Sequence, residues 1–425
     1  MTNSIKARYM RDSTQRLFSS TLPGAALLAA CATLGAISAK ADPSLADAFE
    51  GGKFIFDGRY RYEHVDQAGF NRDADAHTLR VRAGFQTGKL WDLQGLVEVE
   101  GVAQFNDGFN DTVNGNLTYP IVADPQDFQI NRLQIEYSGL PQTVVTVGRQ
   151  RFNFDNQRFV GGVAFRQNEQ TFDAVRLTNA SIDNLTVTYA FVNQVNRVFG
   201  EESQQGAFEG GTHLLNAGCD LAGWGKLSGY AYLIDLHELP AQSTKTFGLR
   251  FSGKHDIMDG VAALYALEYA TQNDYGRNAG DFELNYSLIE AGLGAHGFKA
   301  LAGIQTLNGD GVRGFSTPLA TLHRFQGYAD VFLNTPANGI ADKYATLAYE
   351  TKLEAFGPVT GAMAAVTYHE YDADRGNASF GSETDVEFVA RFGDHWSAGI
   401  KYATYDGDGG FADRDKVWLS VDVTY

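Results

Sequence analysis

From Lys53 to the C-terminus the chain repeats one pattern that leaves few folds open. Apolar and polar side chains alternate with period two, segment after segment, and many polar positions are charged. The last ten residues, KVWLSVDVTY, show it plainly. Val417, Leu419, Val421, Val423 and Tyr425 share one parity, and Lys416, Trp418, Ser420, Asp422 and Thr424 the other. Successive side chains of a strand point to opposite faces, so each segment reads as a strand with one apolar and one polar side. Phe54, Phe56, Tyr60 and Tyr62 alternate in the same way with Ile55, Asp57, Arg59, Arg61 and Glu63, and Leu79, Val81 and Phe85 with Arg80, Arg82 and Gln86.

About eighteen such segments (sixteen to eighteen) can be counted. They begin near Lys53, His77, Leu93, Phe128, Gln142, Phe172, Asn184, His213, Gly225, Thr244, Val261, Asp281, Gly297, Gly339, Pro358, Ser382, His395 and Asp415. Short turns at 138–141 and 180–183 follow even strands, and long loops at 106–127, 151–171, 193–212 and 308–338 follow odd ones. Short periplasmic turns, long extracellular loops and an even strand count are the layout of a transmembrane antiparallel β-barrel. An aromatic last residue at the end of such a strand resembles the terminal signal of bacterial outer-membrane barrels.

Energetics orients the faces. An arginine facing lipid costs about 2–4 kcal/mol at the bilayer midplane, so Arg59 with Arg61, or Arg80 with Arg82, belong inside. The inward basic set is then Arg59, Arg61, Arg80, Arg82, Arg132, Arg176, Arg250, Lys299, Arg391, Lys401 and Lys416. The inward acids are Asp57, Glu63, Glu98, Glu100, Glu136, Glu268, Glu283, Asp385, Glu387 and Asp422. A soluble solenoid or sandwich would also alternate, but no fixed 20–30-residue repeat marks the chain.

Composition narrows the class further. Lys6, Arg8, Arg11 and Arg16 precede the apolar run Leu22–Ile37 and the small-x-small site Ala39-Lys40-Ala41, a secretory signal layout. Residues 1–41 therefore read as a signal peptide and 42–425 as one barrel domain. Leu28-Ala29-Ala30-Cys31 also resembles a lipoprotein box, although the apolar run continues beyond it. Without the leader's five basic residues and one acid, 29 basic side chains face 50 acidic ones. That balance excludes nucleic acid, which needs a basic face. Cys219 is left without a cysteine partner, and no Cys/His cluster suggests zinc. The acidic turn Asp406-Gly407-Asp408-Gly409-Gly410 with Asp413 has oxygen ligands for calcium but lacks the full twelve-residue pattern, so it reads first as a surface turn, with loop calcium as the alternative. No cofactor is expected.

One stretch departs from the pattern. VGRQRFNFDNQRFVGGVAFRQNEQTFDA, 147–174, crowds Arg149, Arg151, Arg158 and Arg166 with Asn, Gln and five phenylalanines. Strict parity would turn Arg149 and Arg151 toward lipid, so either a bulge at Gly148 switches the facing or the strand has already left the membrane there. The loop that follows is expected to fold back inside the wall. Within the lumen, arginines either brace neighbouring acids or offer planar contacts to anions; the residues alone leave both open.

The segments YPIVADPQDFQINRLQIEY (119–137), VGRQRFNFDNQRFVGGVAFRQNEQTFDAVRLTN (147–179) and TPLATLHRFQGYADVFLNTPANGIAD (317–342) resemble the alginate-export family of outer-membrane proteins. The resemblance implies an eighteen-stranded barrel whose basic pore, narrowed by loops, passes an anionic polysaccharide. It marks Arg149, Arg151, Arg158, Arg166 and Arg176 as constriction candidates beside Arg59, Arg61, Arg80, Arg82, Glu98, Glu100, Arg132 and Glu136. His323, Asp330 and Asp342 become pore-loop residues, since no metal or Ser-His spacing makes them catalytic. The expectation is a non-enzymatic outer-membrane channel for hydrophilic solutes, anionic ones or polysaccharide included. A general small-solute uptake porin and a non-conducting structural or adhesive barrel are the alternatives. Its expected partners are lipid and lipopolysaccharide, the transported solute and the barrel-assembly machinery.

Overall fold

The computed structural model describes residues 44–425. The expected leader, its cleavage site near Ala41 and the Cys31 box lie outside the described residues. A short helix, α1 (Leu45–Glu50), precedes eighteen strands. These are β1 (Lys53–Gln67), β2 (Ala74–Gln86), β3 (Leu93–Gln104), β4 (Asp127–Leu140), β5 (Thr143–Gln150), β6 (Thr171–Ile182), β7 (Leu185–Asn196), β8 (Ala207–Leu221) and β9 (Gly225–Ile234). The second half holds β10 (Thr244–Met258), β11 (Val261–Asp274), β12 (Glu283–Ala295), β13 (Phe298–Leu307), β14 (Ile340–Phe356), β15 (Val359–Asp372), β16 (Ser379–Phe392), β17 (Trp396–Gly407) and β18 (Arg414–Thr424).

Every strand pairs antiparallel with its sequence neighbours, and β1 also pairs with β18 from Asp57↔Thr424 to Gln67↔Arg414. The sheet therefore closes on itself and leaves no edge. Tyr425 completes the seam: its N–H donates to the Phe56 carbonyl at 2.8 Å, and its own carbonyl accepts from Phe56 N–H at 3.2 Å. Strand starts match the periodicity closely except at β8, which begins at Ala207 and not near His213. A register shift opposite Val192–Gln194, where Gly210 adopts a φ of 155°, hides the early part of that strand from a strict alternation.

Connections alternate as expected. One rim carries 68–73, 105–126, 151–170, 197–206, 235–243, 275–282, 308–339, 373–378 and 408–413. The other carries tight turns such as 141–142, 183–184, 259–260, 296–297 and 357–358. Trp91, Trp224 and Trp396 are exposed at or beside turns of this second rim, where amphipathic rings favour a membrane–water boundary. Asp408 and Asp413 of the last loop accept from the backbone N–H groups of Gly409 and Gly407, each at 2.8 Å, which is turn chemistry.

The outer face is apolar: Leu133, Ile135, Leu249, Leu267, Ile289, Ile304, Leu347, Phe388 and Leu419 are all exposed. Inward positions carry most of their charge along the middle of β1 to β4, while apolar residues such as Val65, Ala74 and Ala76 face inward near the long-loop rim. On the long-loop half of β12 the inward residues are Leu284, Tyr286 and Leu288, all buried, so Glu283 falls on the outward parity at the rim. This corrects its assignment to the lumen. The cause is that part of the barrel interior is a packed aromatic core, so an apolar parity faces inward there.

Replacing Leu249, exposed on the outer face of β10, with Arg should lower barrel stability by up to about 2–4 kcal/mol in denaturant titrations of liposome-inserted protein. An unchanged midpoint would show that this parity does not face lipid.

Candidate functional site

Two of the long loops do not leave the barrel. The β5–β6 loop (151–170) and the β13–β14 loop (308–339) turn inward and pack on each other. Their backbones meet in a parallel bridge between Val160 and Leu319, with Gly161 N–H donating to the Leu319 carbonyl at 2.9 Å. Thr321 donates its N–H to the Gln157 carbonyl at 3.1 Å and its hydroxyl to Gln157 Oε1 at 2.7 Å.

Aromatic residues give the apolar reason for this infolding. Phe152 stacks on Phe172 at 4.4 Å between ring centres, and Phe159 sits among Tyr230, Tyr286 and Phe315 at 5.1–6.0 Å. Phe152, Phe154 and Phe159 are all buried, and each buried phenylalanine contributes about 1.5–3 kcal/mol. The inward Leu and Tyr positions of β9 and β12 exist to receive them.

Polar anchoring uses opposite chemistry for the two loops. Wall arginines hold the β5–β6 loop by its carbonyls: Arg59 Nη1 donates to Ala164 and Phe165, both at 3.0 Å, Arg61 also donates to Phe165, and Arg82 donates to Gln167 at 3.4 Å. Wall carboxylates of β16 hold the β13–β14 loop by its amides. Ala329 N–H donates to Glu383 at 2.6 Å, Tyr328 N–H to Asp385 at 3.1 Å, and the Tyr328 hydroxyl to Glu387 at 3.2 Å. Gly327, at φ +79°, presses against Glu383 so closely that a Cβ would lie 2.3 Å from its carboxyl carbon.

The loops are joined by a buried charge cluster. Arg166 pairs with Glu63 and Asp330, both at 3.0 Å, and lies 3.7 Å from Asp124 of the 105–126 loop. Lys416 of β18 reaches the same Glu63 and Asp330 at 3.1 and 3.0 Å. Burying ions is costly unless each has several partners, and here each does. Burial by itself would raise Asp330, yet His323, Lys416 and Arg166 hold it well below the usual carboxylate range. His323 Nδ1 lies 2.8 Å from Asp330 and its ring is stacked 3.4 Å from Phe165. Burial lowers His323 from 6.5 to about 4 against the pull of Asp330, so at neutral pH it is a neutral Nδ1–H donor.

Most candidate residues are thereby accounted for. Arg59 also pairs with Asp422 at 2.5 Å, Arg61 with Asp124 at 3.5 Å, and Arg80 with Asp57. Arg82 bridges Glu100 and Glu169, and Arg132 makes a two-pronged contact with Glu98 at 2.8 and 2.6 Å. Arg151 reaches Glu169 from the start of the infolded loop. Arg158 is buried between that loop and the β13–β14 loop, donating to Gln326 at 3.0 Å over the Phe325 ring. Arg176 lies over Phe152 and Glu136 sits half-buried on the inward face of β4.

Two expectations need correction. Arg149 does not enter the lumen, because the β4–β5–β6 register runs unbroken through Gly148 and keeps Arg149 on the outward parity of Val147. It pairs there with Asp173 at 2.8 Å and nears Glu201 at 3.7 Å. Asp342 belongs to the wall, not a loop, since β14 begins at Ile340; it faces His369 at 2.8 Å. Sequence reasoning missed Asp124, Glu169, Tyr328 and Glu383. Only the odd placement of carboxylates inside otherwise Asn/Gln- and Gly-rich loops signals the first two.

What remains open lies on either side of this plug. On the long-loop side, among the described residues, two neighbouring compartments of about 410 and 540 Å³ border the plug. On the turn side a wider space of about 1080 Å³ is lined by Lys254, Glu350, Arg391 and small residues such as Ala262 and Gly294.

With this geometry in place, comparisons become informative. Neither a protein-family model nor a curated protein matches the chain. Among solved structures, Pseudomonas aeruginosa OccK9 (OpdG) superposes with a TM-score of 0.69 at 15% identity, covering 89% of this chain and 100% of its own. The fold is that of an outer-membrane porin barrel. OccAB4 of Acinetobacter baumannii gives 0.68 at 13% identity over 88% and 98% of the two chains. The outer membrane protein OpdK of P. aeruginosa, solved also with vanillate, gives 0.67 at 14% over 89% and 99%. At such identities the likeness is one of fold. The porin-type barrel is thus established here, while the narrower alginate-export resemblance is not among these matches.

His323 supplies a pH test with a definite sign. Its depressed pKa means that a loop released from the cluster takes up a proton before the packed loop does, so packing weakens as pH falls from about 6.5 toward 4. Single-channel conductance should rise or flicker over that window and lose this dependence in His323→Gln. A flat wild-type profile would contradict it.

Proposed function

We propose that the chain is a passive channel of the bacterial outer membrane for small hydrophilic solutes, with a preference for anions on the long-loop side. The observation that carries this reading is a closed barrel with an apolar exterior, a charged wall, and two packed infolded loops leaving compartments on both sides. A wet lumen with fixed charges lowers the barrier for polar solutes and steers them by a field that weakens with ionic strength. The likeness to Occ and Opd barrels, OpdK having been solved with vanillate, supports the same reading.

Small-solute uptake fits better than export of an alginate-like polymer. Two loops tied by the Arg166–Asp330 pair and an aromatic core fill the interior where a polymer would thread. Most wall arginines already hold carboxylates or loop carbonyls, which makes them braces of the constriction more than a free cationic track.

Purified protein in planar bilayers should give discrete conductance steps, and proteoliposomes should admit vanillate and other small solutes but not alginate oligomers. Silent membranes from a folded barrel would remove the channel reading. Arg149→Glu should leave the reversal potential unchanged because the residue lies outside the lumen. Arg166→Ala should enlarge the conductance, since losing one partner of a buried ion cluster costs about 3–5 kcal/mol. An unaltered Arg166→Ala channel would place the barrier elsewhere.

A further inference from the structure

The two long-loop compartments share one cation, Arg197, at the start of the β7–β8 loop (197–206). Their common partition includes Arg197, Phe199 and Gln205 from this loop and Pro318, Leu322 and Leu333 from the β13–β14 loop. Arg197 differs from the other arginines around it. Arg166 is neutralised by Glu63 and Asp330, and Arg414 donates to the Ala329 and Asp330 carbonyls at 2.9 and 3.1 Å. Arg197 makes no salt bridge among the described residues, and its one side-chain hydrogen bond goes to the Gln205 carbonyl at 3.1 Å.

Its guanidinium lies over two rings, 4.5 Å from the centre of Phe199 and 4.1 Å from that of Phe208. Aromatic faces support a guanidinium and orient it while leaving its N–H edge available to an acceptor. Burial lowers the group only to about 10, so it stays charged at neutral pH. The larger compartment has no carboxylate in its lining and the smaller has only Asp330, which its own cations already hold. A charged donor without a counter-ion, fixed at the boundary of two compartments, is built to meet an anionic group from outside.

We propose that Arg197, held by Phe199 and Phe208, is a specificity-determining residue of the loop-side vestibule. It pairs edge-on with the anionic group of a small solute at the passage between compartments, while the solute's apolar part lies against Phe199, Pro318 and Leu322. This rests on the channel reading and assigns the selection step to a loop outside the central charge cluster.

The test uses benzoate and benzamide, which share a ring and differ in charge, as blockers of single channels in KCl. Wild-type protein should show benzoate dwell times roughly tenfold longer than those of benzamide. Arg197→Gln should abolish the difference in a barrel that keeps its heat-modifiable mobility, and Arg197→Lys should restore part of it. Equal dwell times in the wild type, or a benzoate preference that survives in a folded Arg197→Gln channel, would overturn the inference while leaving the channel reading intact. Membranes with no conductance at all would instead overturn the channel reading beneath it.

Discussion

The whole molecule follows from one constraint: in hydrocarbon a backbone N–H or C=O has no water to turn to. A sheet meets it only by closing, and here β1 meets β18 in an eleven-residue register that ends with Tyr425 bonded to Phe56. Closure separates an inside from an outside, and the pleat then sends alternate residues to each. Charged side chains can be dense on such strands because half of every strand never meets lipid.

Closure creates a second problem, which is what fills the inside. An eighteen-stranded barrel is too wide for its own wall side chains to fill. This chain uses two infolded loops with two kinds of tether. Aromatics at Phe152, Phe154 and Phe159 insert among wall tyrosines, and wall charges bind loop backbone by sign, arginine to carbonyl and carboxylate to amide. Glu63, Arg166, Asp330 and Lys416 then join β1, β18 and both loops at one buried point. A wall built this way is rigid where it grips the loops and open on either side.

The barrel was legible because its signal is local and repeated. Strand positions were read within three residues at every strand but β8, where the Gly210–Gly211 bulge breaks the period. The candidate site was legible only in part. Arg59, Arg61, Arg82 and Arg166 were identifiable as inward or loop residues, but their partners were not, because Glu63 to Arg166 and Arg166 to Asp330 span chain separations no periodicity encodes. Arg149 shows the opposite error: a glycine invited a bulge, and the intact ladder on both sides of β5 did not allow one.

By itself the sequence determined the closed sheet, its strand count to within about two, and the facing of most strand residues, since a period of two in a lipid setting sends alternate residues to lipid and lumen. The tertiary structure alone decided that the long-loop half of the inward face of β12, Leu284 to Leu288, is apolar and that Asp342 is wall. It also decided that the conspicuous arginines of 147–174 are mostly braces, and that Arg197 has no counter-ion among the described residues. Those outcomes depend on which loops turn inward and what they meet, and such contacts are set by packing across the lumen between residues far apart in the chain.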